Sequence, residues 1–178
     1  MKHLLDKLSG GDRRSIGDSN VVVAEVKSEP ALFEQLIEGL FNPDPLIRMR
    51  AADAVEKISV VNPALLRPYK KLLIDCAASG DQKEVRWHMA QICPRLLLNA
   101  SERRRLMAIL LGYLNDSSRI VKTFAMQAMV DLAVKDKSLL PKVARHVKEL
   151  TVTGSPAMRS RGHHLLQKIA NLDIRLRG

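Results

Sequence analysis

The stretch EVRWHMAQICPR, residues 84–95, concentrates the side chains of this chain that could do chemistry. It holds the only Trp, Trp87, together with His88, Cys93 and two arginines. A Cys activated by a His base is a nucleophilic pair, whereas a Trp beside arginines is typical of protein-binding hot spots. Which chemistry is possible depends on the element that carries these side chains and on the directions in which they point.

Four segments of the chain begin in the same way, with an apolar residue followed by a basic residue after a polar turn. Their apolar anchors are Ile47, Val85, Val121 and Met158, which are spaced by 38, 36 and 37 residues. A near-constant period between about 20 and 50 residues is typical of stacked supersecondary units. The stretch that contains Trp87 is therefore one copy of a repeat.

Positions +4, +7, +8 and +11 from each anchor are apolar or small in all four segments, at the spacing of one helix face. With the anchors, these positions are Ile47, Ala51, Ala54, Val55 and Ile58; Val85, Met89, Ile92, Cys93 and Leu96; Val121, Ala125, Ala128, Met129 and Leu132; and Met158, Gly162, Leu165, Leu166 and Ile169. Each of these helices, called B here, follows a second predicted helix, called A. Ser101 and Ser138 are predicted to cap two of the A helices. Each period is thus predicted to be an antiparallel helix pair.

The B-helix pattern of apolar, basic, two variable residues and one small residue occurs as IRMRA, VRWHM, VKTFA and MRSRG. This pattern resembles the HEAT-repeat family, a branch of the armadillo-like α-solenoids, over about residues 30–172. The resemblance implies an all-α, right-handed α-solenoid of four HEAT-like helix pairs with an N-terminal helical cap, in which the B helices line a concave groove. The expected segments are 1–29 (helix, loop and capping helix), repeats 30–61, 62–98, 99–135 and 136–172, and a basic tail, 173–178.

Charge is distributed unevenly along the chain. Residues 1–60 hold 8 Lys/Arg and 10 Asp/Glu, a net −2, whereas residues 61–178 hold 21 and 9, a net +12. A basic field attracts acidic protein surfaces, nucleic acid or anionic lipid. The two cysteines form no CxxC pair, the N-terminal residues lack the apolar stretch of a signal peptide, and no apolar run reaches membrane-spanning length. These features favour a cytoplasmic protein without a disulfide framework and without membrane contact.

The direction of each side chain follows from about 100° of rotation per helical residue. Trp87, two residues after its anchor, points opposite the core positions and is predicted to face the groove. The rows at +3, +6 and +10 are predicted to face the groove with it. The candidate partner-binding residues are Trp87, Arg50, His88, Gln91, Arg95, Gln127, Arg161, His164 and Lys168. The alternatives are that Trp87 packs against a neighbouring helix and that the polar rows are only a solvated face.

The same geometry argues against a reaction site. His88 and Cys93 are five residues apart and point about 140° away from each other on one helix, and Cys93 occupies a core position. His163 and His164 are adjacent and splayed, with no further ligand at helical spacing. No catalytic residue, metal ion or cofactor is predicted.

The basic residue that follows each anchor has a different predicted role. Arg48, Arg86, Lys122 and Arg159 lie at the edge of the core face. From there a long side chain can cover the seam between adjacent B helices and donate to backbone carbonyls. These four residues are predicted to be structural.

The resulting functional hypothesis is a non-enzymatic HEAT-repeat protein–protein interaction module whose basic concave groove binds an acidic partner. The alternative is a nucleic-acid-binding HEAT-like protein related in fold to the alkylpurine DNA glycosylases, which hold DNA in the groove with Trp or Tyr, a catalytic Asp and an Arg. Here Asp53 and Asp131 are the only acids in the three rows. Aromatic residues make up only 3% of the chain, which is few for stacking bases.

Overall fold

The computed structural model describes residues 4–12 and 15–177, and side chains up to residue 172. Every regular element in this part of the chain is a helix. Packing divides the chain into two compact units, Met1–Leu97 (unit 1) and Leu98–Gly178 (unit 2). Each unit contains two of the predicted helix pairs.

Unit 1 contains α-helices joined by short 3₁₀ turns. The α-helices are α1 (Ser19–Ser28), α2 (Phe33–Gly39), α3 (Pro45–Val61), α4 (Lys70–Ser79) and α5 (Lys83–Ile92). The 3₁₀ turns are Leu4–Leu8, Pro30–Leu32, Pro63–Tyr69 and Cys93–Arg95. Helix α2 packs on α3 and α4 packs on α5, and the two B helices, α3 and α5, pack against each other.

Unit 2 repeats this arrangement with longer helices. Its α-helices are α6 (Ala100–Tyr113), α7 (Arg119–Lys135), α8 (Leu140–Thr153) and α9 (Pro156–Arg177), with a 3₁₀ turn at Lys137–Leu139. Helix α6 pairs with α7, α8 pairs with α9, and the B helices α7 and α9 pack on each other.

Turn chemistry explains where the B helices begin. The side chain of Asp44 accepts a hydrogen bond from the backbone N–H of Leu46 at 2.8 Å, which satisfies a donor that the first helical turn leaves open. Pro45 occupies the first position of α3, where its missing N–H costs nothing. In unit 2, Ser118 caps α7 by accepting from Val121. The polar turns before α3 and α7 thus start those helices, whereas Gln82 before α5 makes no side-chain cap.

Two predicted caps on the A helices are wrong. Helix α6 is capped by Asn99, whose side chain accepts from Glu102 N at 2.9 Å while Glu102 accepts from Asn99 N at 2.8 Å. Asp136, two residues before Ser138, caps the turn that leads into α8. Asn and Asp cap helices at least as well as Ser, so residue type alone does not distinguish the N-cap residue from its neighbours.

The repeat pattern places the core correctly. Of the twenty anchor and core positions, seventeen are buried, and the other three, Ile47, Leu166 and Ile169, are half-buried. Val85, Val121 and Met158 each expose 3% or less of their surface. The apolar stripe of each B helix therefore forms the core of its unit. At position +9, opposite this stripe, Pro94 and Val130 are also buried.

Two helix ends differ from the predicted limits. Helix α5 ends at Ile92 because Pro94 lacks a backbone N–H, and the chain continues as a 3₁₀ turn that still buries Leu96. The backbone of α9 continues to Arg177 through most of the segment predicted as a tail, whose last residue, Gly178, lies outside the described residues.

The N-terminal segment packs on α3. Helix α1 lies along α3 and buries Val22 and Val26, and Leu8 of the preceding turn is also fully buried. Ser19 Oγ donates to the Asp53 carboxylate of α3 at 2.5 Å. Because α3 packs on α1 and on α5, the segment protects apolar surface that the first helix pair would otherwise expose, as terminal elements of repeat proteins do. Met1–His3 of the predicted first helix lie outside the described residues.

Candidate functional site

The side chains of residues 84–95 do not form a nucleophilic site. Cys93 is fully buried and its Sγ lies 3.8 Å from the Leu73 carbonyl oxygen, a sulfur–oxygen contact inside the core. Burial raises the pKa of the Cys93 thiol, and it raises the pKa of Cys76 to about 11. Both thiols therefore stay protonated near neutral pH and lack the thiolate that a nucleophile needs.

His88 is buried rather than displayed, which corrects its predicted place on the groove surface. Its side chain is 8% exposed, and its Nδ1 has no hydrogen-bond partner among the described residues. Burial lowers the pKa of His88, and the carboxylates of Asp53 and Glu56 oppose that shift. His88 is therefore held mainly as a neutral ring between helices, where partner access is poor.

Trp87 is half-buried, consistent with its predicted direction away from the core. Its ring centroid lies 5.6 Å from that of His88, with a tilt of 56° between the planes. On the next turn, Gln91 Nε2 lies 3.4 Å from the Trp87 carbonyl oxygen. Trp87 thus presents one part of its ring to solvent while resting on a buried neighbour.

Arg50 is not on an open surface, so its predicted accessibility is wrong. Arg50 is 2% exposed, and its guanidinium donates hydrogen bonds to backbone carbonyls of the N-terminal loop. The acceptors are Leu8 at 2.8 Å, Ser9 at 3.4 Å, Gly10 at 2.7 Å, Asp12 at 3.1 Å and Ser15 at 3.1 Å. Gly17, at φ +52°, passes so close that an added Cβ would lie 2.7 Å from the Arg50 Cζ.

Helix geometry gives the reason for this error. Position +3 lies about 80° from the centre of the core stripe, as far to one side as position +1 lies to the other. Both rows therefore border the core and contact neighbouring elements. Arg50 and His88 are buried, and Phe124 and Arg161 of the same row are half-buried. The +3 row therefore does not form the centre of an exposed face.

Arg95 joins the two helix pairs of unit 1. Its guanidinium donates to the Glu56 carboxylate at 2.6 Å, to the Glu56 carbonyl at 3.0 Å and to Ser59 Oγ at 2.6 Å. The partners are on α3, 36 to 39 residues away in sequence. Glu56 and Ser59 are structural residues that were not predicted, because only a three-dimensional neighbour reveals their role.

For the basic residue after the anchor, the predicted bonds to backbone carbonyls are present in unit 1. Arg48 Nη1 donates to the carbonyls of Asn42 at 2.8 Å and Pro43 at 3.0 Å, and Arg86 Nη1 donates to those of Gly80 at 3.2 Å and Asp81 at 2.5 Å. Each arginine closes the turn before its own helix. In unit 2, Lys122 is half-buried and Arg159 is exposed.

In unit 2, four predicted site residues lie on the paired B helices α7 and α9. Arg161 donates to Gln127 Oε1 at 2.9 Å, and Gln127 donates to the Asp131 carboxylate at 3.1 Å. Lys168 Nζ donates to the same carboxylate at 2.8 Å. His164 is exposed beside this network. The structure thus brings Gln127, Arg161 and Lys168 together around one carboxylate.

An open cleft of about 410 Å³ adjoins this network on α9. His164, Gln167, Lys168, Asn171 and Leu172 line it. We call the exposed lining residues His164, Gln167, Lys168 and Asn171 the α9 face. Residues 156–172 contain no Asp or Glu, so every charged side chain that this stretch contributes is positive. On the α9 face itself, the charge of Lys168 is paired with the Asp131 carboxylate of α7.

Within residues 4–12 and 15–177, no three His, Cys, Asp or Glu side chains gather as metal ligands would. None of the described helices combines the length and the apolar character that crossing a bilayer requires.

The similarity of this chain to known proteins is a similarity of fold. No protein-family model matches the chain, and no curated protein matches it. A crystal structure of an engineered protein superposes with a TM-score of 0.62 at 13% sequence identity, covering 94% of this chain and 78% of that chain. A designed armadillo repeat protein is also similar, with a TM-score of 0.46 at 13% identity, covering 93% and 98%.

The fold is an armadillo/HEAT-like helical repeat. The predicted all-α helical-repeat class is therefore confirmed by the helix pairs together with the likeness to the engineered protein. In helical-repeat folds, the side chains on the faces of the stacked helices act as a platform, and the fold alone does not specify what they hold. The site must therefore be argued from the side chains that each unit exposes.

Proposed function

We propose that this helical repeat is a non-enzymatic interaction module that binds an acidic segment of a partner protein. The α9 face of unit 2 is the binding surface, with Arg161 beside it. The observation that carries the proposal is the open cleft on a helix stretch, residues 156–172, that contains cations and no carboxylate.

The ion pair at this face is suited to exchange. Lys168 and Asp131 retain 45% and 35% of their side-chain exposure, and exposed pairs of this kind contribute about 1 kcal/mol or less. A carboxylate of a partner can replace Asp131 as the acceptor for Lys168 at little cost. The amides of Gln167 and Asn171 supply neutral donors within the same cleft.

Unit 1 contributes a different kind of contact. Trp87 is half-buried, and its ring is fixed against His88, so little conformational entropy would be lost when a partner covers it. Partly exposed Trp is enriched among residues that dominate binding energy. We include Trp87 and Gln91 as a second contact point, and we exclude Arg50 and His88 because both are buried.

The proposal includes a cytoplasmic location and a binding role without catalysis. Two buried, unbridged cysteines fit a reducing compartment such as the cytoplasm. Buried, protonated thiols and a buried neutral His88 give the residues around Trp87 no activated nucleophile, which favours a binding role.

The experiment that tests the partner class is a pair of titrations on the full chain. Fluorescein-labelled octaglutamate and a short labelled DNA duplex are each titrated with protein at low and at physiological salt, and anisotropy is recorded. The proposal predicts saturable octaglutamate binding and weaker binding of the duplex. Tighter binding of the duplex, with a steep loss of affinity as salt rises, would support the nucleic-acid alternative instead.

A further inference from the structure

Unit 1 contains a cavity that the proposed function does not use. Its volume is about 370 Å³, within the range of pockets that hold small ligands or a large side chain. It lies where the turn after α3 meets the end of the second helix pair. The lining residues are Asn62, Pro63, Ala64, Leu66, Arg67, Lys70, Arg95, Leu96 and Leu97.

The lining is mainly apolar, and part of it is exposed without an evident structural reason. Leu66 and Leu96 are buried and form the floor, whereas Leu97 is 66% exposed. Val60 and Val61, which directly precede Asn62, are 61% and 67% exposed. Contiguous exposed apolar side chains beside a concave site are typical of binding surfaces. The three residues extend the apolar surface beyond the cavity itself.

The charges on the lining are all positive. Arg95 is fixed by Glu56 and Ser59, so its charge is offset. Lys70 Nζ lies 3.4 Å from the Leu97 carbonyl oxygen. Arg67 is exposed, and no Asp or Glu lines the cavity. A ligand with an apolar group next to a carboxylate would therefore pack on the apolar floor and form an ion pair with Arg67.

We infer that this cavity is a docking site for a peptide segment that places an aliphatic or aromatic side chain next to an Asp or Glu. The apolar side chain fills the space above Leu66 and Leu96, and the neighbouring carboxylate pairs with Arg67. The segment continues over Val60, Val61 and Leu97, an extended apolar surface that a single small ligand in the cavity would leave uncovered. Arginine favours this role because its planar guanidinium can bind a carboxylate through two donors.

The inference concerns a different surface from the α9 face and stands without it. Each site can be tested by its own substitutions, since the lining residues and the α9 face belong to different units.

The test is a selection followed by affinity measurements with four variants at or near the cavity and with Lys168→Glu on the α9 face. A random-peptide display library is selected on the full wild-type chain, and the strongest peptide is synthesised. Its affinity is measured for Ala64→Trp, which fills the cavity, and for Arg67→Glu. The matched controls are Ala78→Trp and Lys71→Glu, two exposed positions of α4 outside the lining. The thermal midpoint of each variant checks that it folds.

The inference predicts that selected peptides carry an apolar residue within two positions of Asp or Glu. Affinity should fall about tenfold or more for Ala64→Trp and Arg67→Glu, and by less than about twofold for the controls. If Ala64→Trp does not fold, the Arg67→Glu and Lys71→Glu pair decides alone. Peptides without acids, peptides unaffected by both cavity variants, or the absence of any selected peptide would overturn the inference.

Two further outcomes distinguish a peptide site in this cavity from a small-ligand site and from binding at the α9 face. Binding of sodium decanoate at the cavity without any selected peptide would show a site for a small amphiphile and overturn the peptide assignment. A peptide that loses affinity only for Lys168→Glu binds the α9 face, which would support the proposed function while counting against this cavity.

Discussion

Cationic side chains link neighbouring elements in both units, but their acceptors and their burial differ. In unit 1, long cationic side chains bridge the elements: Arg50 fastens the N-terminal loop to α3, and Arg95 fastens the end of the second pair to α3. In unit 2, α8 and α9 approach closely at Gly162, where an added Cβ would clash with the Thr151 side chain. A shared repeat position therefore fixes the direction of a side chain but not its role.

Burial explains why this difference matters for function. Arg50 and Arg161 occupy the same repeat position, yet one is 2% exposed with carbonyl acceptors and the other is half-buried with a Gln acceptor. Carbonyls fixed by a loop hold a guanidinium permanently, whereas side-chain acceptors near solvent can be exchanged. We therefore expect Arg50 to stabilise the fold and Arg161 to be available to a ligand.

The largest expected effect is on Arg50. Arg50→Met keeps apolar volume but removes the donors for the loop carbonyls, and hydrogen bonds to charged groups contribute about 1.5–3 kcal/mol each. Since some carbonyls can turn to water, we expect the free energy of unfolding in urea to fall by about 3 kcal/mol. Arg161→Met is the matched control and should cost less than about 1 kcal/mol. Equal losses would remove the contrast between the units.

The second effect concerns the close approach in unit 2. Gly162→Ala should lower the free energy of unfolding by about 1–3 kcal/mol, because its Cβ meets Thr151 and forces α8 and α9 apart. Gly112→Ala on α6 is the control, since nothing lies within 4 Å of an added Cβ there. Gly112→Ala should raise the free energy of unfolding by about 0.5–1 kcal/mol. A stabilising Gly162→Ala would show that the helices do not need this contact.

A smaller effect is expected at the +10 position. Arg95→Ala removes three hydrogen bonds to Glu56 and Ser59, so its free energy of unfolding should fall by about 1–2 kcal/mol. Lys168→Ala removes only a pair with Asp131 at 45% and 35% side-chain exposure and should change stability by about 0.5 kcal/mol or less. Urea unfolding of both variants compares the two units directly, and a larger loss for Lys168→Ala would contradict the account.

The smallest effect is a pH dependence in unit 1. Because burial lowers the pKa of His88 in the folded state, the unfolded chain binds a proton more readily. The free energy of unfolding should therefore decrease as the pH falls from about 6.5, the ordinary pKa of His, towards the lower pKa of His88 in the folded state. His88→Gln should reduce this loss between neutral pH and pH 5, measured as the change in thermal midpoint. His164→Gln, at an exposed position, serves as the control, and identical pH profiles for His88→Gln and wild type would refute the assignment.

Periodicity predicted the fold well because it depends on short-range geometry. The spacing of Val85, Val121 and Met158 located three helices whose apolar faces are buried, and Arg48 and Arg86 donate to backbone carbonyls as expected. The ends of the helices were harder to predict from the sequence. Asn99, not Ser101, caps α6, and Pro94 ends α5 early, because neighbouring residues compete for the same local role.

The candidate site was predicted less completely because it depends on contacts distant in sequence. The loop that covers Arg50 lies 35 to 42 residues before it, and no pattern within α3 indicates that loop. Trp87, Gln127, Arg161, His164 and Lys168 lie at least partly exposed, as the prediction requires. The exposed pair Val60 and Val61 did carry a signal in the sequence, since two apolar residues follow the last core position of α3.

The most direct test of the central proposal is calorimetric titration of octaglutamate into wild-type protein and into Lys168→Glu. Lys142→Glu is the control, because Lys142 is an exposed cation of α8 outside the α9 face. We predict that Lys168→Glu weakens binding about tenfold or more with an unchanged thermal midpoint, and that the control changes it by less than about threefold. Equal weakening by both variants, or by neither, would contradict binding at the α9 face.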